Sequence, residues 1–417
     1  LRQKVKKRYF HRKPPIRAAF FVLKHLVCLN FEAMQINFFD DDQTEHLFPL
    51  TLTRPTADLR CGIQTVAEKW TILLKPDKWG FETQNFLRIK FGAVNNADLR
   101  INGRLLPDES LMNAVLALQP GQKLMDGEIL LAEKSGSTAE NISYSATYTI
   151  LKRPYDIFLL AGTEIKRDIG HLTAGRTSQK PHASVQVLGE HPVFIEEGAK
   201  VYAAVLNATN GPIYIGRNAE IMEGCLVRGP FVMGEGSVLK MGAKVYGPTA
   251  LGPYCVVGGE VNNISMQGYS NKGHDGFLGN AVLGEWCNIG ADSNCSNLKN
   301  NYEDVKVWNY ASERFDKSGQ QFCGLIMGDH SKCGINTMFN TGTVVGVSAN
   351  IFGAGFPRQF VPDFAWGGAS GFITYKLDAA CKTASLVMPR RKMEFSEADR
   401  QILEAVYHKT ASCRNWE

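Results

Sequence analysis

Residues 215–257 read IGRNAEIMEGCLVRGPFVMGEGSVLKMGAKVYGPTALGPYCVV, and the spacing of their aliphatic side chains decides the fold. Every sixth residue from Ile215 is aliphatic or methionine: Ile215, Ile221, Val227, Met233, Leu239, Val245, Leu251 and Val257. Glycine follows directly at Gly216, Gly234, Gly252 and Gly258. Two residues before the aliphatic position the side chain is small at Ala219, Cys225, Ser237, Ala243, Thr249 and Cys255, with Phe231 the departure. The phase returns at Leu283 and Ile289, then at Met327, Cys333, Phe339, Val345 and Ile351. A helix repeats every ~3.6 residues and a strand every two, so neither produces this period. Short strands wound around one axis do, each turning an aliphatic side chain inward. Glycine and small residues then serve the corners, where the backbone bends tightly. The expectation is a parallel β-helix over residues 181–375.

Composition agrees. The 417-residue chain has 40 glycines, and 29 of them fall within 181–368. Its net charge of +5 is concentrated at the start: residues 1–33 carry nine Lys and Arg against one acid, Glu32, which leaves the remainder at −3. A slightly acidic body has no electrostatic footprint for nucleic acid. The apolar run 18–31 is broken by Lys24 and His25 and is shorter than the ~20 residues of a membrane span. Residues 1–33 therefore read as a basic, disordered extension, with an anchor or targeting arm as the other reading, and no membrane partner is expected. The 10 cysteines include no Cys-x-x-Cys pair. Cys225, Cys255, Cys287 and Cys333 occupy repeat positions that want a small buried residue. This points to a reduced, cytoplasmic setting without disulfides or a metal site.

After Val257 the repeat is interrupted by GEVNNISMQGYSNKGHDGFLGNAVLGEWCNIGADSNCSNLKN, residues 259–300. Insertions in a solenoid fall on one face and often carry function. Glu260, Asn262, Asn263, Lys272, His274, Asp275, Asn288, Asn297 and Lys299 converge here. A histidine between Gly273 and Asp275 fills no apolar position and suits a general base near neutral pH. His330 reads as a surface turn residue. A zinc site of the carbonic anhydrase kind would need three convergent histidines, and only His274 and His330 lie in the main repeat.

The segment resembles the acetyltransferase domain of the bifunctional N-acetylglucosamine-1-phosphate uridylyltransferase / glucosamine-1-phosphate acetyltransferase family. That family places a catalytic His before Leu-Gly-Asp, then Asn-Ile-Gly-Ala-Gly, then Cys-Asn-Tyr-Asp-Gly. Here His274 precedes Leu278-Gly279-Asn280, Asn288-Ile289-Gly290-Ala291-Asp292 follows, then Ser296-Asn297-Leu298, and Glu260 stands where the family has an acid. The resemblance implies a left-handed β-helix and a homotrimer, with acetyl-CoA as co-substrate and an amino sugar phosphate as acceptor. It implies His274 as base, Glu260 as its orienting acid, Asn288 at the sugar, and Asn297 with the backbone near Ala291 at acetyl-CoA. Lys240 and Lys306 stand as phosphate contacts. Departures fall at Asn262, Phe277 and the turn Asn297-Leu298-Lys299-Asn300, so part of the sugar pocket differs.

Residues 34–180 read as mixed α/β. Gln35-Ile36-Asn37-Phe38-Phe39, Trp70–Leu74 and Gly127–Ala132 look like strands, and Ser110–Leu118 like a helix. The stretch LFPLTLTRPTADLRCGIQTVAEKW, residues 47–70, resembles the early part of sugar-1-phosphate nucleotidyltransferases. Those enzymes wrap nucleotide phosphates with a glycine-rich loop, because the backbone must approach closely. Here the loop is Phe39-Asp40-Asp41-Asp42-Gln43-Thr44, with three acids and no glycine. Arg54, Arg60 and Lys69 remain as candidate phosphate contacts, and Mg2+ enters only if this domain is active. Residues 376–417 hold a helix capped by Ser396, with Asp399 three residues on, and Arg390, Arg391 and Lys392 read as a solvated basic turn.

The expected protein is an α/β nucleotidyltransferase-like domain, a β-helix acyltransferase domain and a short C-terminal helix, acting on an amino sugar phosphate in nucleotide-sugar biosynthesis. The alternatives are a uridylyl- or thymidylyltransferase that uses the coil for trimer assembly, and a noncatalytic sugar-nucleotide-binding protein.

Overall fold

The computed structural model describes residues 34–416; the basic segment 1–33 lies outside the described residues. Gln35–Phe39 belongs to a six-stranded mixed sheet. Lys78–Glu82 and Leu99–Asn102 flank it in parallel, and Ile129–Lys134, Gln122–Asp126 and Glu140–Ser143 continue the sheet beyond Leu99–Asn102. The expected helix near Ser110 is Glu109–Ala117. Trp70–Leu74, expected as a strand, instead ends the helix Val66–Leu74. The Thr65 hydroxyl accepts from the Glu68 N–H while the Glu68 carboxylate accepts from the Thr65 N–H. This reciprocal cap starts a helix and prevails over the strand preference of a Trp-Thr-Ile run.

From Gln186 onward, strands stack in parallel from coil to coil. One face runs through Val193–Ile195, Ile213–Ile215, Phe231–Met233 and Thr249–Leu251, then through the later halves of Glu260–Gly268 and Phe277–Glu285, to Ile326–Met327, Val344–Val345 and Phe360–Val361. A second face contains Lys200–Val201, Glu220–Ile221, Val238–Leu239, Val256–Val257 and Asn271–Lys272. A third contains Gln186–Leu188, Val205–Asn207, Leu226–Arg228, Lys244–Tyr246 and the start of Glu260–Gly268. All the aliphatic positions read from Ile215 to Val257 are buried in one continuous interior. The expected parallel β-helix is present. At one corner Tyr254, Tyr269, Trp286 and His330 stack with nearly parallel rings, at centroid distances of 5.6, 4.4 and 6.3 Å.

The sequence segments share cores. The helix Asp156–Thr173 lies along the first face, where Ala161, Ile165 and Ile169 pack on Phe194, Tyr214, Val232 and Ala250. The core of the mixed sheet continues into Val282, Ile326 and Val344 of the solenoid and into Val305 and Val307. The latter flank and enter a hairpin, Lys306–Asn309 with Arg314–Lys317, that leaves the coil. A third cluster joins Phe48, Leu52 and Leu87 to Phe364 and to the C-terminal helices Leu377–Val387 and Glu397–Lys409. Ser396 caps the last helix, with Asp399 closing the box as read. Among the described residues no helix is long and apolar enough to cross a membrane.

Candidate functional site

The turn that carries His274 connects Asn271–Lys272 to Phe277–Glu285, and the imidazole is exposed. Its backbone is pinned to both neighbouring coils. The Asp275 carbonyl accepts from the Asp292 N–H at 3.0 Å, and the Gly276 carbonyl accepts from the Glu260 N–H at 3.1 Å. The Phe277 N–H donates to Asn294 Oδ1 at 2.9 Å. The coils approach so closely that a Cβ on Gly276, where φ is +110°, would lie 2.2 Å from the Ser293 carbonyl oxygen. A Cβ on Gly259 would lie 2.9 Å from the His274 carbonyl oxygen. Glu260 thus begins its strand one residue beyond the backbone that touches the His274 turn. Lys240 stands one coil earlier, its Cβ 3.2 Å from the position a Cβ on Gly258 would take. Asn288 Oδ1 accepts from Asn271 Nδ2 at 3.4 Å, and the Ala291 carbonyl accepts from the Asn336 N–H at 2.8 Å.

Asn297 has a different environment. Its Nδ2 donates to Asn280 Oδ1 at 2.7 Å. Asn280 Nδ2 in turn donates at 3.0 Å to Asn263, whose amide nitrogen, turned toward the backbone, donates to the Pro248 and Phe158 carbonyls at 3.1 and 3.0 Å. The three asparagines form a ladder between coils, which engages the Asn297 amide nitrogen within the fold. Lys306 opens the separate hairpin, and its carbonyl accepts from Gln359 Nε2 at 3.0 Å.

Lys272 is among the polar residues that converge in the interruption, but the spacing assigns it no role. It pairs with Val257 across adjacent strands and takes that residue's inward position. Its Nζ donates to the His274 carbonyl at 2.5 Å. Burial pushes this ammonium down to about 8, while Asp275, Cys333 and Asp292 oppose the shift. The six-residue phase hides it, because the coil from Val257 to Lys272 is shortened to fifteen residues. His330, expected at a surface turn, has a side chain packed parallel to Trp286, and burial lowers it to about 3. A neutral ring follows, whose buried Nδ1 has no hydrogen-bond partner among the described residues.

The cations marked for phosphate in the N-terminal segment lie in ion pairs. Arg54 is buried and reaches Asp329 at 2.5 Å, Glu285 at 3.0 Å and Asp58 at 3.5 Å. Lys69 is buried against Glu164 and Asp168. Arg60 donates to the Ile63 and Gln267 carbonyls and pairs with Glu68. The acidic loop is likewise committed. Asp40 accepts from the Thr56 N–H at 2.9 Å and the Thr83 hydroxyl at 2.5 Å, and burial raises it against those bonds. Asp41 accepts from Arg104 and from Asn102 Nδ2. Beside this loop an open cleft of about 700 Å³ is lined by Asp42, Glu45, Glu82, Arg88, Arg100 and Lys409 among others. It lies at the C-terminal end of Gln35–Phe39, the end at which open α/β sheets bind ligands.

Comparison with known proteins follows this division of the chain. A family model described as sugar nucleotidyl transferase matches residues 36–177, about a third of the length. No curated protein matches. Similar solved structures include a polysialic-acid-specific acetyltransferase, NeuO, at 14% identity and a TM-score of 0.25, covering 46% of this chain and 85% of that one. A hexapeptide transferase family protein from Anaplasma phagocytophilum shares 16% identity with a TM-score of 0.21, covering 56% and 97%. An Arabidopsis UDP-N-acetylglucosamine acyltransferase shares 15% identity with a TM-score of 0.24, covering 56% and 91%. These likenesses are loose, and the fold stands on the strand ladders described above.

Proposed function

We infer that the protein is an acetyl-CoA-dependent N-acetyltransferase acting on an amino sugar phosphate, with the His274 turn as its active site and a left-handed, trimeric β-helix as its scaffold. The observation that carries this reading is an exposed histidine on a backbone pinned to both neighbouring coils, with Glu260 and Lys240 close along the chain contacts. An ammonium has no lone pair, so the acceptor must lose a proton before or as it attacks. One proton leaves to solvent to give the free amine, and His274 takes a second as the amine nitrogen bonds to the thioester carbonyl carbon. The C–S bond then breaks, and the proton passes to the departing thiolate. Glu260 would orient the imidazole, Lys240 would meet the phosphate, and Asn288 the sugar. The backbone near Ala291 would face the developing oxyanion; Asn297 would approach acetyl-CoA only by releasing its amide from the ladder.

The test is thiol release from acetyl-CoA with a panel of amino sugar phosphates. General bases contribute typically ~10²–10⁴-fold, so His274→Ala should lower kcat by at least about a hundredfold. No turnover with any acceptor, or a variant equal to wild type, refutes the reading. The cleft beside Asp42 supports a second reading, nucleotide-sugar binding or transfer by the N-terminal segment. Pyrophosphate release from nucleoside triphosphates with sugar 1-phosphates separates transfer from binding alone. The committed loop carboxylates and buried cations favour binding.

A further inference from the structure

The inward column on the second face reads Val201, Ile221, Leu239, Val257, Lys272. Bridges from Asn271 to Asn288 and from Asn288 to Lys332 carry it on to Ile289 and Cys333, and the next strand pair adds Ile351. The other members named are buried and apolar, and Lys272, 1% exposed, interrupts them with a charge. Removing an ammonium from water is costly unless it is well paired. This Nζ donates to the carbonyl of His274, two residues on. An aliphatic residue would pack better there and would leave that carbonyl without this donor. Departures from a local rule of this kind mark functional or strained sites.

We propose that Lys272 is a positioning residue, whose ammonium inside the solenoid holds the Gly273–Gly276 turn and so fixes the direction of His274. This deepens the acyltransferase reading and rests on it for the catalytic consequence. The groups whose charge acts on the ammonium are Asp275, Cys333 and Asp292. Asp275 is in the same turn, and Asp292 is bonded to it through the backbone.

The test compares Lys272→Met with wild type by three measurements. Methionine fills the volume and removes the buried charge, so the thermal midpoint should stay equal or rise, which also shows that the variant folds. Hydrogen exchange should accelerate about tenfold or more in a peptide spanning the His274 turn, with Phe231–Met233 unchanged. In acetyl transfer, kcat should fall about tenfold or more, with KM for acetyl-CoA within about twofold. Unaltered exchange at the turn overturns the positioning role whatever the activity. Faster exchange with an undiminished kcat in an active wild type overturns its catalytic consequence. Faster exchange in a protein that acetylates no acceptor refutes the acyltransferase reading while the clamp stands.

Discussion

Replacing Arg54 by methionine should show how strongly the N-terminal segment is fastened to the solenoid. The guanidinium meets three carboxylates: Asp58 on its own segment, and Glu285 and Asp329 on successive coils. Asp329 also accepts from the Thr53 hydroxyl at 2.8 Å. Methionine keeps much of the stem's packing but leaves three acids facing one another in a largely buried site. Breaking a buried pair by removing one partner costs about 3–5 kcal/mol, because the remaining charge is uncompensated. The loss should depend on pH in a definite direction. Burial already pushes the Asp58 carboxyl up to about 6, with Arg54 pulling it back down. A carboxyl raised above its unfolded value of ~3.9 favours the folded state at low pH and loses that contribution as pH rises through the folded value. Without Arg54 the folded value rises further. The deficit of Arg54→Met should therefore be largest near pH 8 and narrow toward pH 5, as the stranded Asp58 carboxyl takes up a proton. Equilibrium urea unfolding followed by tryptophan fluorescence at both pH values measures this, and adding Asp329→Asn should recover part of the loss. A deficit below about 1 kcal/mol, or an equal one at both pH values, refutes the reasoning.

Two further outcomes are expected. Gly276→Ala places a methyl against the Ser293 carbonyl at a backbone angle that disfavours any side chain. It should cost about 1–3 kcal/mol in thermal unfolding and lower acetyl transfer with it, whereas Gly319→Ala, open on all sides though also at positive φ, should leave transfer unchanged. Thr65→Ala removes the reciprocal cap of Val66–Leu74 and should cost about 1 kcal/mol in the same unfolding assay, without altering acetyl transfer.

The periodic core was legible because each inward side chain of a solenoid contacts its counterparts one coil away, and that local rule writes itself along the chain every six residues. The caps at Ser396 and the interruption after Val257 were legible for the same reason: their partners lie close in sequence. Even so, the helix Val66–Leu74 escaped, since the Thr65–Glu68 exchange outweighed the β-branched and aromatic residues that follow it. Along the candidate site, the sequence supplied His274 and its neighbours. It did not show that Asn297 belongs to a ladder with Asn280 and Asn263, because ladder membership depends on which amides face each other across coils.

By itself, then, the sequence determined a β-helix with a broken coil and an α/β segment ahead of it. Only the tertiary structure decided where the charges went. Arg54 and Lys69 could bind phosphate or pair internally, and the choice rests on carboxylates 275 and 99 residues away. Asp41 is held by Arg104, 63 residues on, and Lys272 points inward because its coil is short. A charge acts through whatever surrounds it in space, whereas an aliphatic repeat needs only its own spacing to declare where it will be buried.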